Sequence, residues 1–201
     1  MCIDKRWWML VVIPIIIFMA SAADAGAQNI GVKTNLLYDA TRTINVGVET
    51  ILAPPKWTFD LSLNYNAWAN RNGSIRKHAM VQPEFRYWLC DRFAGHFFGF
   101  HLHGGIFNIG NIDTDFKFLG TDFSVLKDHR CQGWFGGAGV SYGYAIPLDV
   151  HWNIEFELGA GYAYSVYDQF ECAQCGEIIL NDQPHHYVGL TKAAVSIVYL
   201  F

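Results

Sequence analysis

WTFDLSLNYNAW, residues 57–68, decides the fold class. Taken two at a time, Trp57, Phe59, Leu61, Leu63, Tyr65 and Ala67 share one face. Thr58, Asp60, Ser62, Asn64, Asn66 and Trp68 share the other. A period of two is that of a β-strand, whose successive side chains point to opposite sides of the pleat. One face is apolar and starts at a tryptophan, while the other carries a carboxylate. A tilted strand of about 9–11 residues crosses the hydrocarbon of a bilayer, and this stretch has that length. A soluble half-buried strand alternates in the same way over a shorter run, so the pattern must recur to carry weight.

It recurs seven times. The spacing predicts strands over residues 30–38, 43–52, 57–68, 78–89, 96–107 and 131–146, one starting at Trp152, and a last one ending at Phe201. Ile44, Val46, Val48, Thr50 and Leu52 alternate with Asn45, Gly47 and Glu49. Phe98, Phe100, Leu102 and Ile106 alternate with Gly99, His101, His103 and Gly105. Trp152, Ile154, Phe156 and Leu158 alternate with Asn153, Glu155, Glu157 and Gly159. On the last strand Thr191, Ala193, Val195, Ile197 and Tyr199 are expected on the apolar face, against Lys192, Ala194 and Ser196. Connections after the second, fourth and sixth strands are tight; Pro54-Pro55 marks one, since neither proline can continue a ladder. Those after the third, fifth and seventh are longer, at about residues 70–74, 108–130 and 167–186. Eight strands with turns of alternating length predict an all-β, eight-stranded antiparallel up-and-down transmembrane β-barrel, with tight turns at one membrane face and loops at the other. Trp57, Tyr87, Trp152, Tyr199 and Phe201 are expected in one aromatic girdle, and Tyr38, Trp134, Tyr164 and Tyr187 in the second.

Composition agrees. The chain is 52% hydrophobic and 16% aromatic, yet no stretch after residue 27 is apolar enough for a membrane helix. At the start, Lys5 and Arg6 precede an apolar run and Ala25-Gly26-Ala27, the pattern of a cleaved export signal over residues 1–27. Residues 28–201 then form a single barrel domain, located in the outer membrane of a Gram-negative bacterium. The formal net charge of −4 gives no basic surface for nucleic acid.

In such a barrel the charged face must point inward. Lys33, Glu49, Asp60, Glu84, Arg86, His101, His103, Glu155, Glu157 and Lys192 are expected to form an interior charge network. Eight strands leave an interior just wide enough for side chains to fill, so the network is expected to plug the lumen. The glycines of the sixth strand would make room for the acids and histidines beside them. The same inward charges also admit a narrow ion or proton channel. At the last long loop, Cys172 and Cys175 have disulfide spacing in an exported chain. With His185 and His186 the same cysteines could instead hold zinc. No nucleophile, base and orienting group can be recognised by spacing, which leaves a lipid-modifying enzyme without a constellation. No catalytic residue and no cofactor is expected.

Several motifs are distinctive: residues 33–40, KTNLLYDA; 82–88, QPEFRYW; 95–99, GHFFG; Gly133-Trp134 with 137–144, GAGVSYGY; and 191–194, TKAA. Together they resemble an uncharacterised family, a domain of unknown function, of small outer-membrane barrels from Bacteroides-type bacteria, similar in fold to the OmpA transmembrane domain. The resemblance spans nearly all of residues 28–201. It implies an outer-membrane location and contact with membrane lipid, brings no catalytic residues, and points to an accessory role beside a fimbrial or other cell-surface protein. The function expected is that of a non-enzymatic surface anchor or interaction protein.

Overall fold

The computed structural model describes residues 29–52, 56–68, 74–111, 117–118, 121–122, 127, 129–172 and 176–201. The expected export signal, the Pro54-Pro55 turn, residues 70–73 and Cys175 lie outside these. Eight long strands are present: β1 Ile30–Asn35, β2 Ile44–Leu52, β3 Trp57–Asn66, β4 Ile75–Trp88, β5 Gly95–Gly110, β6 Arg130–Pro147, β7 Trp152–Phe170 and β8 Ile178–Leu200. Each pairs antiparallel with its neighbour in sequence. The first and last strands close the ring, from Gly31 opposite Leu200 to Asn35 opposite Ser196, giving a closed up-and-down barrel. Between β5 and β6, Lys117–Phe118 pairs with Thr121–Asp122 in a two-residue hairpin.

The strands are unequal, and three boundaries depart from the alternation. First, β1 stops at Asn35, and Leu36–Ala40 forms a one-turn helix, α1. Asn35 caps it: its Oδ1 accepts from the Leu37 backbone N–H at 3.1 Å. The same side chain stands in for the missing strand, donating to the Ala193 carbonyl and accepting from the Val195 N–H. Asn at an N-cap competes with strand continuation, and that signal outweighs the alternation of Val32, Leu36 and Tyr38. Tyr38 therefore faces the interior cavity rather than a girdle. Second, the expected loop over residues 167–186 is mostly ladder, with β7 and β8 paired up to Phe170 and Ile178. Asp182 and Pro184 look like loop residues, but Asp182 falls in a register shift between Leu180 and Gln183, and Pro184 stays in register opposite Val166. Third, Thr191 is an extra residue between Leu190 and Lys192. This bulge flips the parity of β8, so Thr191 is not one of the outward series that begins at Ala193, and Tyr187 lies on the inner side of the wall.

Candidate functional site

The distribution of side chains is inverted relative to a water-soluble domain. Among the described residues, 18 polar or charged side chains are buried against nine apolar ones. Large apolar side chains such as Val140, Leu158 and Ile106 are each 63% exposed. All ten residues expected in the interior are buried there. The unit to explain is therefore the filling of the lumen.

It is built in layers from the end with tight turns. At the bottom Trp88, Phe93, Phe97, Ala145, Val198 and Leu200 form an apolar stopper. The turn between β4 and β5 supplies its floor. Phe93 adopts φ 61°, a left-handed conformation unusual for an aromatic residue, and its side chain is buried. The Asn153 amide holds that turn by donating to the Phe93 carbonyl at 2.5 Å. Phe97 fits because Gly143 is opposite: any Cβ there would collide with the Phe97 ring. Sequence alternation placed Trp88 inside but gave no sign of Phe93, whose position depends on turn geometry.

Above the stopper lies the ion network, centred on Arg86. One guanidinium nitrogen donates to Glu49 Oε2 at 2.7 Å and Glu155 Oε2 at 3.1 Å. The second donates to Glu157 Oε2 at 2.7 Å, and Nε to Glu84 Oε2 at 3.0 Å. The face of the group also rests over the Phe97 ring, 4.5 Å from its centroid, joining network to stopper. Lys33 bridges Glu49 and Asp60, each at 2.9 Å. Lys192 reaches Glu157 at 3.0 Å and pairs with Glu84. Below, Trp88 Nε1 donates to Thr58 Oγ1 at 2.9 Å, and Thr58 donates to Glu49 Oε1 at 2.5 Å. Five carboxylates and three cations thus share one buried layer with a formal balance of −2. A planar guanidinium with five fixed donors is the side chain that can serve four acids at once.

The histidines come next. His101 Nε2 meets Thr191 Oγ1 at 2.9 Å, so the bulge in β8 exists on the lumen side to reach it. Gln82 donates to the Thr191 carbonyl. The His101 and His103 rings lie 5.6 Å apart, tilted by 39°, over Gly139 and Gly137, where a Cβ would come within 2.7 Å and 2.6 Å of the imidazoles. A cavity of ≈ 20 Å³ remains beside α1, lined by Lys33, Tyr38, Asn45, Gln82 and Lys192, room for a water or two.

The cysteine loop is not assembled as a metal set within the described residues. Cys172 is disulfide-bonded, and Cys175 lies outside them. His185 and His186 sit on β8: His186 faces outward, with Nδ1 2.6 Å from the Tyr162 hydroxyl, and His185 is opposite Ser165. Both histidines thus stand on a strand, while Cys172 lies in the connection between β7 and β8. Among the described residues no group of three His, Cys, Asp or Glu could hold a metal ion. Cys90 and Cys131 are free thiols; burial pushes the Cys131 thiol up to about 11.

Fold and interior together define a class: an eight-stranded up-and-down barrel filled by an ion-paired core. The chain belongs to the family described as Protein of unknown function (DUF3575), which matches residues 11–201. No curated protein and no solved structure matches the chain.

Proposed function

We propose that this chain is a non-enzymatic barrel of a Gram-negative outer membrane, of Bacteroides type and similar in plan to the OmpA transmembrane domain, that anchors an interaction surface. One observation carries the reading. Between the Trp57–Tyr87 and Trp152–Tyr199 pairs at one end and the row Lys77, Asn108, Gln132 and Asp168 at the other, no described outward-facing residue is Asp, Glu, Lys or Arg. Along β4, Tyr87 and Lys77 bracket this belt. Ten residues at about 3.4 Å each, tilted by about 40°, give a height of about 26 Å. That is the height of the apolar band of a membrane barrel.

The filled lumen supports an anchor over a conduit. Layers of ring, ion pair and imidazole occupy it, and Trp88, Phe93 and Phe97 pack across its lower end. β5, β6 and β7 each run two residues beyond the Lys77 row, to Gly110, Arg130 and Phe170, and beyond them Ile178, Ile179 and Leu180 at the start of β8 are 46–48% exposed. Exposed apolar residues on a rigid support favour contact with a partner protein at the cell surface. Surface labelling of a cysteine placed at Gly176, in intact cells, tests location and orientation together. Labelling is expected, and protection of this site with labelling only after lysis would contradict the reading. Planar-bilayer recordings should be silent; steady unitary conductance would restore the channel.

A further inference from the structure

The outward face of β2 to β5 carries a groove of ≈ 410 Å³. Its walls are Ile44, Val46, Leu63, Tyr65, Val81 and Ile106. The register explains the hollow. Ile44, Tyr65, Ala79 and Ile106 lie in one row across the sheet, and Val46, Leu63, Val81 and Gly104 in the next. Bulky side chains stand around Ala79 and Gly104, which provide almost no outward bulk. At Gly104 an added Cβ would meet only the Phe135 carbonyl, at 3.6 Å, so the surface there is open.

The groove ends under a polar rim. Lys77 is two residues beyond Ala79 on the same face, about 7 Å further along β4, and is exposed. Asn108 lies directly opposite it on β5. The Asn108 amide nitrogen donates to Gln132 Oε1 at 3.3 Å, while its Oδ1 is buried without a hydrogen-bond partner. An exposed cation directly above an apolar trough matches the negatively charged headgroup of a lipid whose chain lies in the trough.

We propose that this groove seats one acyl chain of an anionic, phosphate-bearing membrane lipid, whose phosphate sits against Lys77. The proposal rests on the membrane reading above and deepens it by naming a lipid that the barrel selects. Lysine holds phosphate as a point charge on a flexible stem long enough to follow the headgroup. A single basic residue near a membrane surface is worth about fivefold in lipid retention.

Native mass spectrometry of the barrel in dodecyl maltoside, with phosphatidylglycerol and phosphatidylcholine added in equal amounts, tests this. The wild-type barrel should retain phosphatidylglycerol preferentially. Lys77→Glu should lower that retention about fivefold or more. Gly104→Leu, which fills the trough, should lower it without removing the charge. Arg92→Glu, at the opposite end of the barrel, should leave it unchanged. Heat-modified gel mobility reports folding of each variant, and Lys77→Glu alone decides the matter if Gly104→Leu does not fold. A detergent-dependent barrel that retains both lipids equally, or that loses neither on Lys77→Glu, overturns the lipid seat alone. A monodisperse, lipid-free protein without detergent overturns the membrane reading as well.

Discussion

Replacing Arg86 by methionine removes the hub of the interior while keeping much of its volume. Four charge-assisted hydrogen bonds of 2.7–3.1 Å disappear, to Glu49, Glu84, Glu155 and Glu157. At about 1.5–3 kcal/mol each, their summed worth is an upper bound of about 6–12 kcal/mol. The net loss is smaller, because the acids can turn to Lys33 and Lys192 or take up protons. Removing one partner of a buried ionic cluster costs about 3–5 kcal/mol, since the remaining charges are stranded. Here the formal balance would fall from −2 to −3. Urea unfolding of the refolded barrel in detergent, followed by tryptophan fluorescence, measures it. With a slope of about 2 kcal/mol per molar urea, the midpoint should drop by about 2 M. Adding Glu157→Gln to Arg86→Met removes one stranded acid and should return about 1–2 kcal/mol. A single variant within about 1 kcal/mol of wild type, or a double variant whose losses simply add, would refute the idea of one shared network.

Other expectations concern packing and reactivity. Phe97→Ala empties the stopper and should cost about 3–5 kcal/mol in the same urea assay. Gly139→Val places a branched side chain against His101 and should destabilise by about 1–3 kcal/mol through overpacking, with no loss of charge pairing. Thr191→Val leaves His101 Nε2 without its partner and should cost about 1 kcal/mol, whereas an outward-facing Thr191 would give no change. In the folded barrel at pH 8 a maleimide should modify exposed Cys90 quickly. Buried Cys131, its thiol pushed up to about 11, should react only after denaturation, and equal rates would contradict its placement.

Much of this architecture was legible because alternation has one simple cause. When outward neighbours are apolar and inward ones polar, the period of two shows both the strand and its face, and residues 57–66 are paired and faced as their pattern implies. The interior ions were legible for the same reason, since Glu49, Asp60, Glu84, Glu155 and Glu157 each fall between outward apolar residues. The glycines of β6 were legible as space for neighbours. What escaped was whatever depends on a single backbone choice. A capping Asn35 turned the end of a strand into α1, and one added residue at Thr191 reversed a face. A left-handed Phe93 folded a turn into the lumen. The pairing of β7 and β8 was hidden by Asp182, which the ladder accommodates at a register shift with φ 51°, and by Pro184, which it keeps in register. His185 and His186 therefore moved from a metal-site candidate onto the barrel wall.

The cluster around Arg86 draws its members from opposite ends of the polypeptide: Lys33 and Glu155 are 122 positions apart, and both touch the same hub through Glu49 or directly. Lys33, Glu49, Asp60, Glu84 and Arg86 come from the first four strands, and Glu155, Glu157 and Lys192 from the last two. In a half-wound sheet Lys33 keeps Glu49 and Asp60 and Lys192 keeps Glu157, but Arg86 lacks Glu155 and Glu157, two of its four acids. Joining the first strand to the last is thus the step that gives the guanidinium all four of its acids, and the seam acts as a latch that snaps shut only on a complete chain.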